Sequence, residues 1–189
     1  MDERANVIEI GGGGTVGPGE VVGVCGPDAR GVLELVCGQR PGAPGAVRVE
    51  GADPYRDRTV LVGALWAEDG LYGELSLREV TGAWQRWSAR PFTSDASTVL
   101  ALLAPRAAVP YERLPSGDRR LFDLALALLA APAALVADEP CTDLDPSEAD
   151  TLWTALRSLE LPVLVAARAL PDLTGTDRII PSASFLLAA

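Results

Sequence analysis

Apolar positions along the chain gather into short runs rich in valine and isoleucine, separated by longer segments with helical spacing. Brief runs bounded by turn-forming residues predict buried strands, and apolar residues at every third or fourth position predict helices packed by one face. The pattern gives strands over residues 7–10, 20–25, 46–50, 60–65, 133–137 and 162–167, and helices over 31–38, 76–88, 94–104, 117–130 and 146–159. Strands alternating with helices predict an α/β sheet with helices on both faces. The stretch GGGGTVGPG, residues 11–19, has no periodicity and reads as a loop or tight turn joining the first two strands. Residues from about 71 to 114 are mostly helical and separate two halves of the sheet.

At 189 residues the chain predicts one compact domain, residues 1–189, carrying the helical block as an insertion. Its 48% hydrophobic and 22% charged residues belong to a folding chain rather than a disordered one. A net charge of -10, with no histidine, repels phosphate backbones and argues against nucleic acid as a partner. Cys25, Cys37 and Cys141 have neither paired zinc-site spacing nor an even disulfide framework, which points to a reduced, cytoplasmic setting. The longest apolar stretch, residues 121–137, is broken by Asp123 and Pro132, so no membrane span is expected. Attachment to a membrane would come through a partner.

The candidate chemistry begins where a strand gives way to a helix, in Glu20-Val-Val-Gly-Val-Cys-Gly-Pro-Asp-Ala-Arg-Gly-Val-Leu-Glu34. A phosphate loop needs glycines that let backbone N–H groups converge, a lysine on the β and γ phosphates, and a hydroxyl on magnesium. Gly26 and Gly31 match G-x-x-x-x-G-K-[ST], but Val32 takes the lysine position and Leu33 the hydroxyl position. Glu34 adds negative charge to the first helical turn expected here, and Asp28 is a candidate helix cap. A charge contact at about 4 Å is worth roughly 4 kcal/mol at an effective dielectric of about 20. At about 1.4 kcal/mol per decade, losing the lysine alone costs on the order of three decades of affinity.

A longer segment, LPSGDRRLFDLALALLAAPAALVADEPCTDLDP from Leu114 to Pro146, is more specific. It resembles, without a gap, the run of ABC-type ATPases in which a signature LSGGQRQR leads through an apolar helix and strand to DEPTSGLDP. Leu114 to Asp118 falls on the signature motif, Asp138-Glu139-Pro140 on the Walker B end, and Thr142 to Asp145 on the D-loop. The resemblance implies a P-loop NTPase-like (RecA-like) sheet with a small helical subdomain, ATP and magnesium as cofactors, Asp138 on magnesium, and Glu139 as general base. Gly117 would face the phosphates of a neighbouring subunit, and Asp145, in the D-loop, would be among the cofactor-binding residues. Read for local structure alone, Asp138 and Glu139 would only accept nearby backbone N–H groups, and Asp145-Pro-Ser-Glu148 is a helix start with a capping box.

Several positions depart from that family. Pro115 stands at the signature serine and Asp118 at its glutamine; Ala67 occupies the Q-loop glutamine and Arg168 the switch histidine. The aromatic that stacks on adenine is missing, since Tyr55 is the first aromatic of the chain. Arg30 and Arg168 are candidates to pair with Asp138 and Glu139 and close the pocket with internal ion pairs, truncation of Arg168 then destabilising the fold. Alternatively Arg30 stands in for the lysine and holds phosphate. The function implied is an ATP-binding subunit with weak or no hydrolysis, serving a membrane permease or a second ATP-binding subunit, which another copy of this chain could supply. A soluble ATP-free scaffold and an active ATPase with an altered loop are the alternatives. Trp66, Trp84 and Trp87 lie in or near the helical block, where they either fill its core or anchor a permease.

Overall fold

The computed structural model describes residues 7–11, 14–67, 73–88 and 91–183. A five-stranded parallel sheet runs in the order β5-β6-β7-β3-β8, with β3 Val21–Cys25, β5 Val62–Leu65, β6 Ala134–Asp138, β7 Val163–Ala167 and β8 Arg178–Pro181. Every residue of β6 and β7 is buried, as strands covered on both faces must be. Alternation sorts them: Leu135, Ala137, Val163 and Val165 face one core, Ala134, Val136, Leu164 and Ala166 the other. The first core is closed by α3 Ser94–Leu103, α4 Ser116–Leu128 and α5 Pro146–Arg157; the second by α1 Ala29–Val36 and a small antiparallel sheet. The expected sheet with helices on both faces is therefore present.

That small sheet, in the order β2-β1-β4, joins β1 Ile8–Ile10, β2 Gly14–Val16 and β4 Val47–Val49. The glycine stretch read as a loop thus contains β2, paired antiparallel to β1 with Ile10 opposite Gly14. Backbone pairing makes this strand, and only Val16, fully buried, marks it by hydrophobicity. The edge strand β8 also escaped prediction, because its burial is slight and it ends on Pro181. Arg178 secures that edge, donating to the Glu20 carboxylate and the Thr15 carbonyl.

The helical block contributes α2 Leu77–Ser88 and α3. Ser76 and Glu79 reciprocally bond each other's backbone N–H at the start of α2. Of this helix only Leu77 is buried; Trp87 is 79% exposed and Trp84 lies 5.3 Å from it, ring to ring. Filling of the subdomain core, one of the two readings of these tryptophans, does not hold for Trp87. Among the described residues no helix is long and apolar enough to cross a membrane.

Phe122 of α4 is fully buried, and Tyr111 meets it edge-on at 5.4 Å. Phe122→Ala is expected to lower unfolding free energy by about 3–5 kcal/mol, measured by urea denaturation.

Candidate functional site

The carboxyl ends of the parallel strands, where ligands of open α/β sheets bind, bring most of the candidate residues together. At the end of β3 the chain turns through Gly26, whose φ of 131° suits glycine; a Cβ there would stand 2.3 Å from Ser182 Oγ. The helix α1 then starts at Ala29, two residues before the expected Gly31. Asp28 sits at its N-cap but makes no side-chain cap, so the expected cap is absent; its carboxylate lies 3.7 Å from Arg40 instead. The earlier start also moves Glu34 out of the first turn, where it pairs with Arg30 at 3.6 Å. Val32 and Leu33, at the positions of a phosphate-loop lysine and hydroxyl, are 1% and 0% exposed and pack in the core beneath α1.

Asp138 ends β6 with its side chain 7% exposed, and Nη1 of Arg30 donates to Oδ2 at 3.1 Å. The same guanidinium lies over Trp66, with Cζ 5.3 Å from the ring centroid. Glu139 follows at a φ of 44°, its N–H bonded to the Ala166 carbonyl, and its carboxylate meets Nε of Arg168 at 2.9 Å. Both arginines therefore pair with the carboxylates as anticipated: Arg30 with Asp138, Arg168 with Glu139. They do not weigh equally. The Arg168 side chain is 89% exposed, and an exposed pair contributes little, so the expected destabilisation on truncating it loses its basis.

The second cluster surrounds the start of α4. Pro115 is its N-cap residue without a side-chain cap, and Asp118 in the first turn pairs with Arg106. Gly117 donates its N–H to Glu148 Oε1 at 3.0 Å, and a Cβ on Gly117 would press within 2.8–2.9 Å of that side chain. The other oxygen of Glu148 accepts the Asp145 N–H at 3.2 Å, completing the capping box of α5. Asp145 caps that helix in turn, and the Glu148 N–H followed by the Ser147 hydroxyl hold its carboxyl below the usual carboxylate range.

Three contacts had no signal in the sequence: the Trp66 ring under Arg30, the Arg106–Asp118 pair, and Arg120, whose guanidinium donates to the Trp66 and Ala67 carbonyls at 2.9 and 3.0 Å. All are tertiary, and no local spacing encodes them. No group of His, Cys, Asp or Glu among the described residues is arranged to hold a metal ion by itself. Burial raises the thiols of Cys37, helped by Glu34, to about 12 and of Cys141 to about 11.

No family model matches the chain. It is 33% identical over 156 residues to Nod factor export ATP-binding protein I of Rhizobium meliloti, covering 77% of this chain and 47% of that protein. It is 27% identical over 176 residues to Phosphonates import ATP-binding protein PhnC 1 of Rhodopseudomonas palustris (strain BisB18), covering 81% and 65%. The chain thus spans about half to two thirds of the length of these relatives. A solved structure described as an inward-facing metal-chelate type ABC transporter superposes with a TM-score of 0.69 at 17% identity, over 89% of this chain and 70% of that one, which shows a shared fold.

Two measurements test this geometry. Arg30→Ala is expected to cost about 1–3 kcal/mol in chemical denaturation, because a nearly buried carboxylate loses its ion pair. Arg168→Ala is expected to cost less than about 1 kcal/mol. In the folded protein at pH 8, Cys37 and Cys141 are expected to react with a thiol reagent far more slowly than in denaturant, measured by peptide mapping.

Proposed function

Because this chain belongs to the ABC transporter ATP-binding (nucleotide-binding) domain family, we propose that it is a transporter subunit whose own nucleotide site has weak or no hydrolysis. The observation that carries this reading is the pairing of Arg30 with the nearly buried Asp138. In the family the carboxylates at the positions of Asp138 and Glu139 hold magnesium and activate the attacking water. Here each already has a cation of the protein's own beside it, Arg30 at 3.1 Å and Arg168 at 2.9 Å.

The rest of the phosphate site agrees. A lysine needs room to reach the phosphates, and Val32 and Leu33 lie in the core instead. Magnesium would have to compete with Arg30 for Asp138, which is 7% exposed. The residues present therefore do not fit Mg-ATP as the family holds it, and no hydrolytic step is assigned to them. On the signature side, Asp118 keeps a carboxylate near the start of α4, and Glu148 already occupies the Gly117 N–H. A neighbouring subunit's nucleotide would meet a partly filled helix terminus.

Its partner on this reading is a permease. Leu75, just before α2, and Val80, Ala83, Trp84 and Trp87 on it line an apolar groove in the helical block, residues about 71–114, where the family receives its membrane subunit. Aromatic anchors of this kind dominate interface energetics. The chain would then work on the inner face of a membrane through that contact, alongside a second ATP-binding subunit.

Calorimetry with Mg-ATP at millimolar concentration tests the proposal. No saturable heat is expected, and Val32→Lys alone is expected to lower the melting temperature without creating binding, since its ammonium would enter the core. Saturable binding followed by turnover that Glu139→Gln abolishes would reverse the reading.

A further inference from the structure

Trp66, the first residue beyond β5, is engaged on two sides at once. Its ring lies 5.3 Å from Cζ of Arg30 on α1, and its carbonyl accepts from Nη1 of Arg120 on α4 at 2.9 Å. The other terminal nitrogen of Arg120 reaches the next carbonyl, that of Ala67, at 3.0 Å. Arg30 is itself fixed to Asp138 at the end of β6. A planar guanidinium that engages two successive carbonyls sets the orientation of the peptide between them as well as its position, which a single point donor cannot do.

We infer that Arg120 and Arg30 form a nucleotide-independent clamp, holding residues 66–67 in one position between α4 and α1. At position 67 a methyl group leaves no side-chain amide to follow what the cleft contains. Arg120 binds backbone carbonyls, so its hold does not depend on which side chains stand at 66 and 67. Residues 66 and 67 are therefore held from two helices, by Arg120 on α4 and Arg30 on α1. Arg120 is a positioning residue in this scheme. The inference rests on the reading in which the site lacks turnover, but the two can fail separately.

Hydrogen exchange by mass spectrometry on the full chain reads the clamp directly. Peptides covering residues 62–67 are expected to exchange at the same rate with and without millimolar Mg-ATP. Arg120→Ala is expected to speed their exchange about tenfold, the loss of two hydrogen bonds, while β7 and α5 keep their protection. Arg120→Lys should recover only part of it, and Arg119→Ala, the next residue on the same helix, none of the change. Unaltered exchange over 62–67 in a folded Arg120→Ala variant would overturn the clamp. Should that variant unfold, Arg120→Lys decides, and wild-type exchange in it overturns the clamp equally. A change over 62–67 on adding Mg-ATP overturns nucleotide independence. Turnover that Glu139→Gln abolishes, without such a change, leaves the clamp standing and removes the inactive-site reading.

Discussion

A carboxylate that is nearly buried requires a cation, and Asp138 at the end of β6 meets that requirement from within the chain. Much of the candidate site follows from this. Arg30 must extend from the first turn of α1 across the strand ends, and in doing so it comes to lie over Trp66 and beside Glu34. The helix that carries it is fixed from below by Ala29, Val32, Leu33 and Val36, all buried. Core packing and ion pairing thus hold the same helix from opposite sides, one apolar and one charged.

The two ion pairs at the strand ends look alike in a distance table and differ in consequence. One joins an arginine to a carboxylate with little access to water; the other joins Glu139 to an arginine almost wholly in solvent. Desolvation makes the first pair a structural commitment, since either group alone would be costly there. The second can open and close at small expense, so Glu139 is held by its backbone, with its N–H on Ala166 and a positive φ, more than by Arg168.

Hydrophobic patterning made six strands and five helices legible, because the parallel strands are buried on both faces and the helices on one. The hairpin strand Gly14–Val16 stayed hidden because glycine carries no pattern, and Arg178–Pro181 because an exposed edge strand has little apolar content. At the site, motif spacing located Asp138, Glu139, Gly117 and Asp145, and arginines at 30 and 168, where the family has other residue types, suggested partners for the two carboxylates without saying which meets which. The helix α1 starts two residues before the expected Gly31, which takes Glu34 out of the first turn, while Asp28 occupies the N-cap without making a side-chain cap. Arg120 was invisible for a deeper reason: its targets are backbone carbonyls, which every residue possesses and no sequence advertises.

The single carboxylate of Glu148 receives one N–H from the start of α4 and another from the start of α5. The two helix starts cannot part without stripping a backbone amide of its acceptor, and Gly117 lets them approach until no side chain would fit between. They therefore behave as one rigid corner. A neighbouring subunit docking there would meet a surface already in its final shape, and association would lose no freedom in arranging it.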